Sequence, residues 1–200
     1  PFAQCLGAAM FQEISMQARF CAPARTRAAL LTTTLLMSGI LLSSQALAQT
    51  VLPSGGQVIA GAATINGSGS QTMVSQSSEK AIINWTDFSI GQGGKVTFNN
   101  GSGATLNRVT GGNLSSIDGL LNATGSVYLI NPNGVIIGKS GVVTVGGSFV
   151  ASALDITNDN FLNGGDQTFS GPSLASVVNL GKIGALGGDV ALMAVNVQNS

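Results

Sequence analysis

Beyond residue 49 the apolar positions fall into short runs: QVIAGAATI (57–65), KVTFN (95–99), SVYLI (126–130), VIIG (135–138), VVTV (142–145), SFVASA (148–153) and DVALMAV (189–195). Gly, Asn, Ser and Asp separate them. Runs this short, bounded by turn formers, predict strands joined by tight turns and therefore an all-β protein. Several runs do not alternate cleanly between apolar and polar, as expected of strands that are covered or that face a narrow packed interior. Helical spacing is hinted at only in LSSIDGLLN (114–122), where Gly119 weakens it.

One stretch is informative about how the strands connect. In LINPNGVIIG (129–138), Asn131, Pro132, Asn133 and Gly134 stand between two strand-like runs. Asn suits the first position of a type I turn, Pro the second and Gly the fourth; alternatively Asn133 takes the positive φ of a type II turn. Two-residue β-hairpins prefer the mirror-image turns, whose first loop position needs a φ that proline cannot adopt. A corner that redirects the chain without reversing it therefore fits better, as between two faces of a parallel β-helix; a longer-looped hairpin is the competing reading. A loose repeat relates Asn131–Ile136 to NLGKI (179–183) at an offset of 48 residues. With coils of about 20–25 residues, this offset predicts two coils between the copies.

The N-terminal region differs. Arg25 and Arg27 precede an uncharged apolar run, AALLTTTLLMSGILL (28–42), and then Ala46-Leu47-Ala48. Basic, apolar and small-residue regions in this order describe a secretory signal peptide, with cleavage between Ala48 and Gln49. The alternative, a membrane anchor, would need about 20 apolar residues, and this run is shorter. We expect 1–48 to be a leader (signal core 25–48), with Cys5 and Cys21 in its upstream part, and 49–200 to be the mature domain.

That mature part has no histidine and no cysteine, so the common catalytic triads and thiol mechanisms are excluded. Its five basic residues (Lys80, Lys95, Arg108, Lys139, Lys182) and seven acidic ones leave a small net negative charge and no basic patch in sequence. Nucleic acid and acidic polymers are poor partners for such a chain. Gly91–Lys95 lacks phosphate-loop spacing, and Val96 follows the lysine where Ser or Thr is required. Gly164-Gly165-Asp166 and Gly187-Gly188-Asp189 lack the continuation of a calcium-binding repeat and read as turns. Asp155, Asp159 and Asp166 fall in one loop, 154–170, with no basic residue near them in sequence. The expectation is a non-enzyme without metal or cofactor.

Taken together, SSIDGLLNATGSVYLI followed by NPNGVIIG, INWTDFSIG (83–91), NRVTG (107–111) and GALGGDVAL (184–192) resemble the filamentous-haemagglutinin-type N-terminal domain of two-partner secretion. The resemblance covers most of 50–200. It implies a right-handed parallel β-helix with an N-terminal cap. It also implies export through the periplasm to the cell surface or medium, by way of a dedicated outer-membrane β-barrel transporter. The exported body that follows such a domain is usually an adhesin, haemagglutinin, haemolysin or toxin. We therefore expect the protein to continue beyond residue 200, with host-cell or cell-surface glycans as partners of the downstream region. Some members carry a second motif, Asn-Pro-Asn-Leu; FNNGSGATLNRV (98–109) stands where it would be found.

Two sets of residues become candidates on this basis. Asn131, Pro132, Asn133 and Gly134 form the turn, and are candidates for transporter recognition. Trp85 and Phe88, within the expected cap and first coils (57–98), are either buried aromatics or a transporter contact. A chain threaded through a pore is best without cysteines, which would oxidise to bulky loops, and a capped first coil protects an open sheet edge. The runner-up is an autotransported or stand-alone β-solenoid that binds carbohydrate or cell surfaces.

Overall fold

The computed structural model describes residues 50–200. The expected leader, its cysteines and the Ala48–Gln49 cleavage pair lie outside the described residues.

Among the described residues, sixteen strands build three sheets around one interior. The first holds β1 (Gln57–Ala60), β4 (Lys80–Trp85), β6 (Ala104–Val109), β9 (Ser126–Ile130), β12 (Phe149–Ser152) and β15 (Val190–Met193). The second holds β2 (Ala63–Ser68), β3 (Gln71–Gln76), β5 (Lys95–Asn99), β8 (Leu120–Ala123), β11 (Val142–Val145) and β14 (Lys182–Ala185). The third holds β7 (Ser115–Ile117), β10 (Val135–Ile137), β13 (Ser176–Asn179) and β16 (Asn196–Asn199). From β3 onward every pairing is parallel, each strand lying beside its counterparts one coil before and one coil after. Thr105 sits beside Val127, and Val127 beside Phe149. This is the parallel β-solenoid expected from the sequence.

Strand alternation decides what fills the interior. Val127 and Leu129 of β9, Val135 and Ile137 of β10, and Val143 and Val145 of β11 point inward and are buried. Each such side chain contributes roughly 1.5–3 kcal/mol relative to exposure. On β5, Val96 and Phe98 are buried while Lys95 and Thr97 are partly exposed. The first sheet departs from this rule: Ile82, Leu106 and Ile130 on its outer face form a second buried cluster with Ile156 and Phe161.

Its cover is an excursion between β12 and β13. The helix α1 (Asn158–Asn163) lies in it, with Thr157 as N-cap accepting from the Asn160 N–H at 3.2 Å. The excursion corrects the repeat-based expectation. Val135 and Val177 are direct neighbours, and Asn179 pairs with Ile137. The 48-residue offset is thus not two coils but one coil lengthened by the excursion, in slipped register. Nor do residues 114–122 form a helix: they are β7 and β8, broken at Gly119, and the helix lies where a loop was expected.

Glycine makes the corners possible. A Cβ on Gly119 would overlap the carbonyl oxygens of Gly91 and Gly94 in the preceding coil, and one on Gly125 would overlap that of Gly103. At these places the coils stack too closely for a side chain. At the N-terminal end the pattern changes: β1 runs antiparallel to β4, and β2 antiparallel to β3. These two strands cap the solenoid, at the start of the region expected to do so.

Candidate functional site: the Asn131–Gly134 corner

Asn131 directly follows β9 of the first sheet, and Val135 begins β10 of the third. The two strands therefore do not pair with each other, and the corner reading holds over the hairpin. Gly134 N–H donates to the Asn131 carbonyl at 2.9 Å, closing a four-residue turn. Gly134 has φ 105, which a side chain resists, and its added Cβ would press on the Ser176 carbonyl at 2.9 Å.

The four residues divide into two roles. Asn131 and Gly134 are buried; Pro132 and Asn133 are exposed. The Asn131 amide donates to the Asn113 carbonyl at 2.9 Å and to Ser115 Oγ at 3.0 Å, both in the preceding coil. Its Oδ1 accepts from the Asn133 backbone N–H at 2.9 Å, an Asx turn. The Asn133 side chain donates to the Gly111 carbonyl at 2.8 Å. From the following coil, Ser173 Oγ donates to the Pro132 carbonyl at 2.6 Å. The corner is thus stitched to the coils on both sides, and its outward surface is Pro132 and Asn133, with the exposed Leu114 and Leu174 in the flanking coils.

Trp85 and Phe88 are buried and belong to the first coil. Their rings meet edge to face, 5.4 Å between centroids, and Phe88 stacks on Phe98 at 6.4 Å. Trp85 Nε1–H donates to Asn107 Oδ1 at 3.0 Å.

Three residues of structural weight escaped the sequence reading. Asn100 is buried at the corner between β5 and β6. Its amide donates to Thr105 Oγ1 at 3.0 Å and to the Ser126 carbonyl at 2.9 Å, and its Oδ1 accepts from the Gly125 N–H at 2.7 Å. The Gly103 N–H donates to the Asn100 carbonyl at 2.8 Å, so Asn100–Gly103 repeats the Asn-x-x-Gly turn of Asn131–Gly134. That shared spacing, within FNNGSGATLNRV (98–109), was the available clue. Arg108 and Lys80 had no such clue, because their partners are remote in sequence.

The acidic residues do not converge. Asp155 pairs with Arg108 at 2.9 Å, and Asp159 and Asp166 are exposed. Among the described residues no three His, Cys, Asp or Glu side chains gather as a metal site, and no helix is long and apolar enough to cross a membrane.

Comparison with known proteins places this architecture. The chain is similar to two heme/hemopexin-binding proteins of Haemophilus influenzae. One is 41% identical over 103 residues, half of this chain and 11% of the relative. The other is 49% identical over 76 residues, 37% of this chain and 8% of the relative. The chain thus aligns with about a tenth of the length of these relatives. Its fold resembles the crystal structure of the HMW1 secretion domain from Haemophilus influenzae, with TM-score 0.60 and 33% identity. That likeness covers 71% of this chain and 44% of the other. Residues 49–200, a span that includes the solenoid, match the TPS secretion domain. This family is defined by secretion and not by catalysis, and the chain belongs to it: a TPS secretion domain of the two-partner type.

Proposed function

We propose that residues 49–200 direct the export of the larger protein that carries them, through recognition in the periplasm by a partner outer-membrane β-barrel transporter, and that residues 1–48 are the leader that brings the chain there. The observation that carries this reading is the match of the whole described solenoid to a secretion domain. Pro132 and Asn133 are the part of the corner offered to a transporter, because Asn131 and Gly134 are spent on holding the turn. Trp85 and Phe88, being buried, serve the core of the first coil. Heme and hemopexin binding belong to the names of the relatives, and a glycan partner belongs to whatever follows this domain; neither is assigned to the solenoid.

The test is an export assay on the full 200-residue chain with a C-terminal epitope tag, in a bacterium with and without the partner barrel. Tag in the medium or on the surface only with the barrel is the expected result. Tag retained in the periplasm in both cases overturns the reading and favours a solenoid that binds a surface ligand by itself.

A further inference from the structure

The excursion 154–170 ties together parts of the chain that a simple solenoid would leave independent. Its two ends meet: Asp155 N–H donates to the Ser170 carbonyl at 2.9 Å, and Ser170 N–H returns the bond at 2.8 Å. Between them it lays Ile156 and Phe161 over an apolar stripe on the outer face of the first sheet. Ile82, Leu106 and Ile130 of that stripe come from three successive coils and are fully buried there. Phe161 also meets Tyr128 edge to face at 5.2 Å.

Two cations fasten it. Arg108 donates through Nε to Asp155 Oδ1 at 2.9 Å, through one terminal nitrogen to Asn158 Oδ1 at 2.8 Å, and through the other to the Ile156 carbonyl at 2.6 Å. Lys80 Nζ donates to the carbonyls of Phe161 and Leu162 at 2.9 and 3.0 Å, in the last turn of α1. A cation at that end satisfies carbonyls that the helix leaves open. Lys80 and Arg108 belong to the first two coils, whereas their partners arrive after β12.

Elsewhere each coil touches mainly its neighbours, and in such an array stability is a sum of local terms that can build up or fray one coil at a time. The excursion breaks that rule, since its helix bears on β4, β6 and β9 together. We propose that residues 154–170 are a clasp that closes last and converts the first four coils into one all-or-none folding unit, whose outer apolar stripe stays exposed until the clasp shuts. This stands independently of which transporter, if any, exports the chain.

Two variants of the full chain test it. Lys80→Met with Arg108→Met removes the charged anchors and keeps their apolar stems. Native-state hydrogen exchange should then show protection falling about tenfold, and by the same factor, in 154–170 and in β4, β6 and β9, because all open in one step. Loss confined to 154–170, with the strands unchanged, overturns the proposal. In the second variant, 156–169 is replaced by Asn-Gly, which closes the already paired Asp155 and Ser170 as a hairpin. It should bind an apolar dye and unfold in urea over a broader range than the parent. A single unfolding transition of unchanged midpoint and slope, without dye binding, also overturns it. Should the shortened chain not fold, the double-Met variant decides alone.

Discussion

Trp85 donates its indole N–H to Asn107 inside the solenoid, and both side chains are buried. The Asn107 amide in turn reaches the carbonyls of Thr105 and Tyr128 at 3.4 and 3.3 Å. A buried polar group is tolerable only while its partners are present. Asn107→Leu should therefore cost about 1–3 kcal/mol, because it strands the Trp85 N–H. Trp85→Phe in the same chain removes that donor, so the double variant should lose less than the sum of the two singles. Urea unfolding of the four proteins checks this; strict additivity would mean that the bond is energetically silent.

The corner allows support to be separated from display. Asn131→Ala removes two donated bonds and the Asx acceptor of a fully buried residue, and should destabilise by about 2 kcal/mol or more. Asn133→Ala and Pro132→Ala act at exposed positions and should each cost about 1 kcal/mol or less. If this corner is what the transporter reads, the exposed pair should lower export well beyond their effect on stability. Unfolding midpoints and exported fraction, measured on the same variants, settle the matter: proportionate losses in both leave the motif as a turn alone.

Much of this architecture was legible because a β-solenoid repeats its local rule. Short apolar runs bounded by Gly and Asn became strands wherever they occurred, and Pro132 argued against a hairpin from φ alone. What stayed hidden depended on residues far apart. LSSIDGLLN carries weak helical spacing, yet Ser115–Ile117 pairs with Val135–Ile137 and the sheet overrides it. The clasp helix is only six residues long, and nothing in its own sequence announces that Lys80 and Arg108 will hold it. The 48-residue repeat misled because a coil can be lengthened without disturbing the register on either side.

Coil stacking at the corners makes a sharp distinction between glycines. Gly119→Ala and Gly125→Ala each push a methyl group into backbone carbonyl oxygens of the coil before, which cannot swing aside as a side chain would. Each should lose about 2–4 kcal/mol, in the range of overpacked cores. Gly112 has open space at the same atom, so Gly112→Ala should stay within about 0.5 kcal/mol of the parent. Thermal unfolding of the three variants compares them directly. A Gly119→Ala protein as stable as Gly112→Ala would show that adjacent coils can part at that corner at no cost.

The cap should matter for solubility more than for the fold behind it. Gly56 lies so close over the Trp85 ring that a Cβ there would stand 2.6 Å from it, and 2.9 Å from Ile65 Cδ1. Ile65 packs against the interior cluster from β2. With β2 in place, the outermost strand of the second sheet ends in the exposed Asn66, Gly67 and Ser68. Without it, β3 would present an unpaired edge carrying the exposed Met73. Unpaired edges recruit other strands. Ile65→Asp sets a carboxylate against that cluster and should lift the cap, because an unpaired charge in apolar surroundings is costly. The expected result is concentration-dependent association in light scattering at a temperature where the parent stays monodisperse, with strand content by circular dichroism largely retained. A variant that is monodisperse and as heat-stable as the parent would mean that β1 and β2 are not what protects the first coil.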